Sequence, residues 1–462
     1  MIRAETPTAM YIKWMREFPD APLIRYRTFA NTEVLLCNSV AAHQDVLHTH
    51  CYSFKKTDLW RRMTGQITGH GIITMEFAEH RAHRKMLNPY VSTGNVRKLE
   101  PIFRRKAEEL GRLFRRAIAA GPDGTGVIHC TELLARATLD IMGVTSLGQD
   151  LRLLTSDHDE PGRYTFHKAY GAIFSPGNLG KVLLFANGFV PTRWIPLQAN
   201  RDFLYATSWL RSMLTKIVRD RYRELRDEKR ESESSASSRD LLTMIVEEDR
   251  VGGAAEGISE NDIVGHLLQF MAAGHETSAN TMAWCIYVMA TKPDVQDRLR
   301  QETEKLTTQN PHPSFADIDA LPYLNNFLRE TLRIYAPATT THRQADVDTV
   351  IDGVPIPKGT LLDIIPHVTA MNPRIWGDDV EAFDPDRWDR LADAALNPYS
   401  FNVFSNGTRI CAGRAFAYEE MKIFLVELVR NFRFLGVEKD YVLENPSFTL
   451  QPCGLEVRIG PA

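Results

Sequence analysis

The run Phe404-Ser-Asn-Gly-Thr-Arg-Ile-Cys411-Ala-Gly413 places one cysteine among groups that suit it to hold a metal as a thiolate. Gly407 and Gly413 bracket the cysteine, Arg409 stands two residues ahead of it and Phe404 seven. A thiolate that ligates a haem iron needs these parts. Gly407 lets the backbone turn tightly under a porphyrin, and Gly413 lets the following helix approach the ring. Backbone N–H groups in such a turn point at the sulfur and spread its charge. Arg409 offers a cation to a haem carboxylate, and thiolate ligation favours O–O cleavage at the iron. Alone, Cys411 would read as one more buried structural thiol. Within this ten-residue pattern it reads as an axial ligand and the metal-binding residue.

A second constellation needs a helix to carry it. Ser259-Glu-Asn-Asp262 has the spacing of a capping box, which predicts a helix start there. The helix then runs through Ile263, Leu267, Leu268, Phe270 and Met271 into Ala273-Gly-His-Glu-Thr-Ser278 and on to about Ala290. Phe270, Ala273, Gly274, Thr277 and Thr281 share one face. The small Ala273 and Gly274 leave room above a flat prosthetic group, and Gly274 weakens the helix so that it opens locally to water or dioxygen. Thr277 offers a hydroxyl there and Glu276 a carboxylate. By itself this is also the pattern of a buried helix with a back-bonded threonine and a surface glutamate. A zinc-protease reading of His275-Glu276 fails, because Ala279 stands where a second histidine is required.

These motifs carry a resemblance to the cytochrome P450 superfamily. The cysteine loop matches every defining position of that family's haem-binding loop, and Ala273-Gly-His-Glu-Thr277 resembles its oxygen-activation motif. The resemblance implies haem b with Cys411 as ligand, and Thr277 and Glu276 as catalytic residues that deliver protons during dioxygen activation. It extends to Glu330-Thr-Leu-Arg333, an acid and a base at i, i+3, and to Phe383-Asp-Pro-Asp-Arg387-Trp. In the family such residues form a buried structural charge triad; without that context they read as a solvated surface pair. His80-Arg-Ala-His-Arg84 is similar to the helix that offers haem carboxylates an aromatic or histidine and an arginine. Histidine at the first position departs from the superfamily's usual tryptophan, although fungal members often share it. Arg343 occupies the position of another carboxylate-binding arginine.

Helical patterns dominate the rest. Residues 92–120 read as one long amphipathic helix and Thr138–Gly143 as part of a buried one. Short strand-like runs lie at Ile24–Arg27, Val34–Cys37, Leu361–Ile365 and Leu455–Ile459. The charged, serine-rich stretch 226–239 should be a mobile surface loop. These elements predict a mainly-α fold, long helices around a buried haem with small peripheral sheets, as one domain over 1–462. Net charge is −3, so nothing marks the molecule as a nucleic-acid binder. Six scattered cysteines show neither zinc-ligand spacing nor Cys-x-x-Cys-His, which suits a reducing compartment. No apolar run is long enough to span a bilayer. Fungal family members usually carry an anchor ahead of the point where this chain begins; a missing anchor and a naturally soluble protein both fit the residues.

The family's pocket regions map here to Trp60, Met63, Ile72, Ile73, Phe270, Ala338, Thr339 and Phe448. Their apolar character implies a lipophilic substrate such as a fungal secondary metabolite, although any one of them is more often core than pocket. The resemblance further implies an endoplasmic reticulum location, with NADPH-cytochrome P450 reductase and cytochrome b5 as electron donors. Arg81, Arg84, Lys85, Arg414 and Lys422 are candidates for a basic docking patch. The stretch 180–197, with Trp194, is a candidate membrane contact. The reaction expected is hydroxylation or epoxidation. Ring formation, phenol coupling or desaturation from the same oxidant stays open, and a haem-binding sensor or electron carrier is the rival from another class.

Overall fold

The computed structural model describes residues 6–155, 165–174, 177–228, 240–443 and 449–462. Most of the serine-rich stretch predicted as a loop, and Phe448, lie outside them. Long helices carry most of the chain and the strands gather into small sheets, the mainly-α architecture that the helical periodicity predicts. By its internal contacts the chain forms two compact units. The first comprises Met1–Lys55, Phe103–Thr138 and Glu276–Ala462, the second Lys56–Ile102 and Leu139–His275.

The first unit holds a five-stranded sheet with the order Leu23–Arg27, Glu33–Cys37, Leu361–Ile364, Thr341–Ala345, Phe54–Lys55. Neighbours are antiparallel except Glu33–Cys37 beside Leu361–Ile364. In the first strand Ile24 and Tyr26 alternate inward, so one face packs on the helix Ala9–Glu17 through Tyr11 and Met15. Buried Asp363 locks that packing: it accepts from Tyr26, from Tyr11 at 3.2 Å and from His342 Nδ1 at 2.5 Å. A three-stranded antiparallel sheet joins Gly126–His129, Glu456–Pro461 and Phe432–Lys439.

The predicted helix over 92–120 is broken. A turn of α-helix at Thr93–Val96 passes through a 3-10 turn, Arg97–Leu99, and the long helix begins at Glu100 and ends at Ala120. Pro101 gives the reason: it has no N–H to donate and is favoured in a helix's first turn. The helix expected from Ser259 runs from Glu260 to Thr291. Ser259 Oγ accepts the Asp262 N–H at 3.1 Å and donates to its carboxylate at 2.7 Å. The second unit contributes the helices Asp58–Thr68, Phe77–Val91, Gly177–Phe189 and Gln198–Glu228, together with the first half of this distal helix.

Candidate active site

The turn around Cys411 is built from its own backbone. Cys411 N–H donates to the Phe404 carbonyl at 2.8 Å, closing the turn across the two residues that frame the motif. Gly407 sits at φ +66, and a Cβ there would run into the backbone carbonyl of Leu47. Both the left-handed backbone and the close approach therefore require glycine. Thr408 Oγ1 donates to Cys51 Sγ at 3.3 Å, and Asn406 Nδ2 to the Pro398 carbonyl at 2.9 Å, which anchors the turn on both sides. Phe404 leans on Tyr418, ring centres 5.1 Å apart. Gly413 caps the 18-residue helix Arg414–Asn431, and a Cβ on it would meet no protein atom within 4 Å.

Among the six cysteines, Cys411 alone is exposed. Burial pushes the thiols of Cys37 and Cys130 far up and that of Cys285 to about 12, so these sulfurs stay protonated and are poor ligands. Cys411 instead stands just ahead of a helix N-terminus, whose partial positive charge favours a thiolate. Among the described residues no three His, Cys, Asp or Glu side chains cluster as metal ligands. The exposed thiolate position, the tight turn and the space beside Gly413 fit haem.

On the distal helix, the structure gives Glu276 a partner that the motif did not show. Thr449 Oγ1 donates to Glu276 Oε1 at 2.6 Å. Thr277 is half-buried next to it, and its carbonyl accepts the Thr281 hydroxyl at 2.9 Å. Ala273 is exposed although most of the helix is buried. The local opening predicted at Gly274 is absent: the helix is continuous from Glu260 to Thr291. Gly274 is instead filled from the side, since a Cβ there would stand 2.5 Å from Met142 Sδ. Close packing, rather than helix weakness, is what this glycine serves. His275 lies edge-on to Tyr170, ring centres 4.9 Å apart.

The acid–base helix Pro322–Ile334 buries both members of its pair completely. Arg333 donates bidentately to Glu330, 2.7 and 2.8 Å, and further to the carbonyls of Ala370 and Ala382. Glu330 also accepts from Trp388 Nε1 and the Asp384 N–H, both at 3.1 Å. Arg387 approaches Glu330 at 3.5 Å, but its bidentate partner is Asp379, at 2.8 and 3.0 Å. The expected triad is thus a four-membered array. Asp379 was missed because nothing in its spacing marks it. Arg343 is buried in the sheet, donating to the His342 carbonyl at 2.9 Å, and Arg409 is half-buried in the cysteine turn.

In the same unit Ala338 is exposed and Thr339 buried, and Ala338 forms an antiparallel bridge with Thr449. In the second unit, His80 is buried and Arg84 half-buried on the helix Phe77–Val91. Trp60 and Ile73 are half-buried, Ile72 is buried, and Phe270 lies edge-on to Tyr90 at 5.7 Å. Met63 packs toward Gly188, where an added Cβ would meet its Cγ at 3.1 Å. The segment bearing Ile72 and Ile73 is pinned by two buried residues outside any motif. Ile72 N–H donates to His266 Nδ1 at 3.3 Å and Ile73 N–H to Gln269 Oε1 at 2.6 Å. Arg81 and Lys85 in this unit, and Arg414 in the other, are exposed. Lys422 is not: it is buried and bonded to Asp319, and burial lowers its pKa.

Glu420, on the helix that follows the cysteine, is fully buried, and neither carboxyl oxygen has a well-formed hydrogen bond. Burial pushes its pKa up to about 8, against a smaller opposing effect of the Ser278 hydroxyl. Between the unfolded value of about 4.3 and that point, the folded chain holds a proton the unfolded chain has lost. Stability should therefore fall as pH rises through this window, by about 1.4 kcal/mol per pH unit from this group. Glu420→Gln should remove that slope in thermal unfolding followed across the window, whereas parallel curves for the two proteins would contradict it.

A family model described as Cytochrome P450 matches residues 6–458. The chain belongs to this family. The cytochrome P450 monooxygenase sphH of Aspergillus fumigatus is 30% identical over 456 residues, 95% of this chain and 81% of that protein. The cytochrome P450 monooxygenase buaD of Petromyces alliaceus is 30% identical over 459 residues, 94% and 82%. The cytochrome P450 monooxygenase FUM15 of Gibberella moniliformis is 29% identical over 511 aligned positions, 97% and 83%. As a cytochrome P450 the chain is an oxidoreductase that incorporates molecular oxygen, with haem b held by a cysteine thiolate. No described helix of this cytochrome P450 is long and apolar enough to cross a membrane.

Proposed function

We propose that this cytochrome P450 hydroxylates or epoxidises a lipophilic fungal secondary metabolite, with electrons from NADPH-cytochrome P450 reductase and cytochrome b5. The observation that carries the reading is the Cys411 turn, whose geometry presents a cysteine sulfur just ahead of a helix N-terminus. Bound haem supplies the reductive activation of dioxygen and the insertion of one oxygen atom. Cys411 holds the iron, while Arg409, Arg343, His80 and Arg84 are the groups assigned to the haem carboxylates. Thr277 and Glu276 pass protons inward, the threonine through its hydroxyl and the glutamate through a carboxylate that can exchange with solvent. Apolar Ile72 and Phe270 favour a lipophilic substrate.

Exposed Leu179, Val182, Phe185, Phe189, Val190 and Trp194 support a membrane contact, because such a patch is costly in water. A microsomal location on the cytosolic face follows from that contact together with the reductase. The test is reconstitution with the reductase and NADPH in lipid vesicles under isotopically labelled dioxygen. One labelled oxygen atom in the product of a lipophilic substrate is expected. A product carrying no label, or a histidine-type spectrum for the reduced carbon-monoxide form, would overturn the reading.

A further inference from the structure

The proton-delivery acid is tied into a directed hydrogen-bond chain. Asn280 stands one turn beyond Glu276 on the distal helix, and its Nδ2 donates to Thr449 Oγ1 at 3.1 Å. The same hydroxyl donates its single proton to Glu276 Oε1 at 2.6 Å. An amide nitrogen only donates, so Thr449 accepts from Asn280 and its own proton is left for Glu276. Asn280 and Thr449 are both buried, which raises the strength of each link and the cost of losing it.

Thr449 is itself held from two sides. Its backbone bridges Ala338, and the next residue, Leu450, donates its N–H to the Pro337 carbonyl at 2.9 Å. The Leu450 carbonyl accepts from Trp284 Nε1 at 3.1 Å. Trp284 lies on the distal helix two turns beyond Glu276, fully buried and stacked on Tyr335 with ring centres 4.3 Å apart. One short segment thereby joins the helix that carries the acid to the segment that carries Ala338 and Thr339.

We propose that Thr449 is a positioning residue for proton delivery: its hydroxyl fixes the Glu276 carboxylate beside Thr277 and couples it to the segment 337–339. This rests on the monooxygenase reading above. A hydrogen bond to a charged group is worth about tenfold in an equilibrium, so its loss should be visible against the background of folding.

The experiment compares Thr449→Val, which keeps the shape without the hydroxyl, with Thr449→Ser, which keeps the hydroxyl. Two readouts are taken on the haem-loaded protein: the share of NADPH electrons recovered in product rather than peroxide, and the unfolding midpoint in a double-mutant cycle with Glu276→Gln. The valine variant should lose about tenfold in the product share, the serine variant should keep most of it, and the cycle should be non-additive. A valine variant with an unchanged product share, a serine variant as impaired as valine, or an additive cycle would overturn the proposal. A wild-type protein without the thiolate-type spectrum would instead overturn the monooxygenase reading, and the cycle would still decide whether Thr449 and Glu276 are coupled.

Discussion

Replacing Cys411 with serine should abolish oxygen insertion and remove the red-shifted Soret band of the reduced carbon-monoxide form, while leaving the fold nearly unchanged. The fold survives because serine is close to cysteine in size and the N–H bond to Phe404 belongs to the backbone, which serine retains. The chemistry does not survive, because a serine hydroxyl is neutral at working pH and lacks the soft, charged sulfur that iron requires here. The loss should exceed the roughly 10–100-fold cost of removing an outer partner of a metal ligand. Absorption spectroscopy and turnover, read beside the unfolding midpoint, check both halves of the claim. A serine variant that kept the thiolate-type band would remove Cys411 from the account.

Arg333→Ala should be the most destabilising single change in the frame, by roughly 3–5 kcal/mol, because it strands the Glu330 carboxylate where no water reaches it. The bonds from Trp388 and the Asp384 N–H remain, but two neutral donors do not replace a bidentate guanidinium. Arg387→Ala should cost less. Glu330 keeps Arg333, and the stranded Asp379 is 55% exposed, so water can solvate it. Denaturant unfolding of the two variants gives the order directly, and haem retention on dilution should follow it. Equal losses would mean that Arg387 carries as much of the buried charge as Arg333, contrary to the distances.

The motifs around Cys411 and Glu276 were legible in the sequence because each is local. A turn that needs glycine at one position, a helix cap followed by a helix, and an acid and base one turn apart depend on residues within about ten positions of each other. Local spacing likewise marked the strands Glu33–Cys37 and Leu361–Ile364. It failed where a backbone rule outweighed periodicity, as at Pro101, which restarts a helix that amphipathicity alone would continue.

Only the tertiary structure decided what lies opposite each local motif. Thr449 meets Glu276 across 173 positions of chain, and Met142 fills the space at Gly274. Asp379 joins the triad of Glu330, Arg333 and Arg387 as a fourth member, and Lys422 is buried on Asp319 instead of facing a partner. These contacts join residues that lie far apart in the chain or carry no mark in their spacing, so no periodicity encodes them. Their energies come from burial, which raises the worth of a satisfied polar pair and the penalty for an unsatisfied one. The chemistry of this protein was therefore written in short runs of residues, whereas the control of that chemistry arose only when the chain brought those runs against distant partners and excluded water from them.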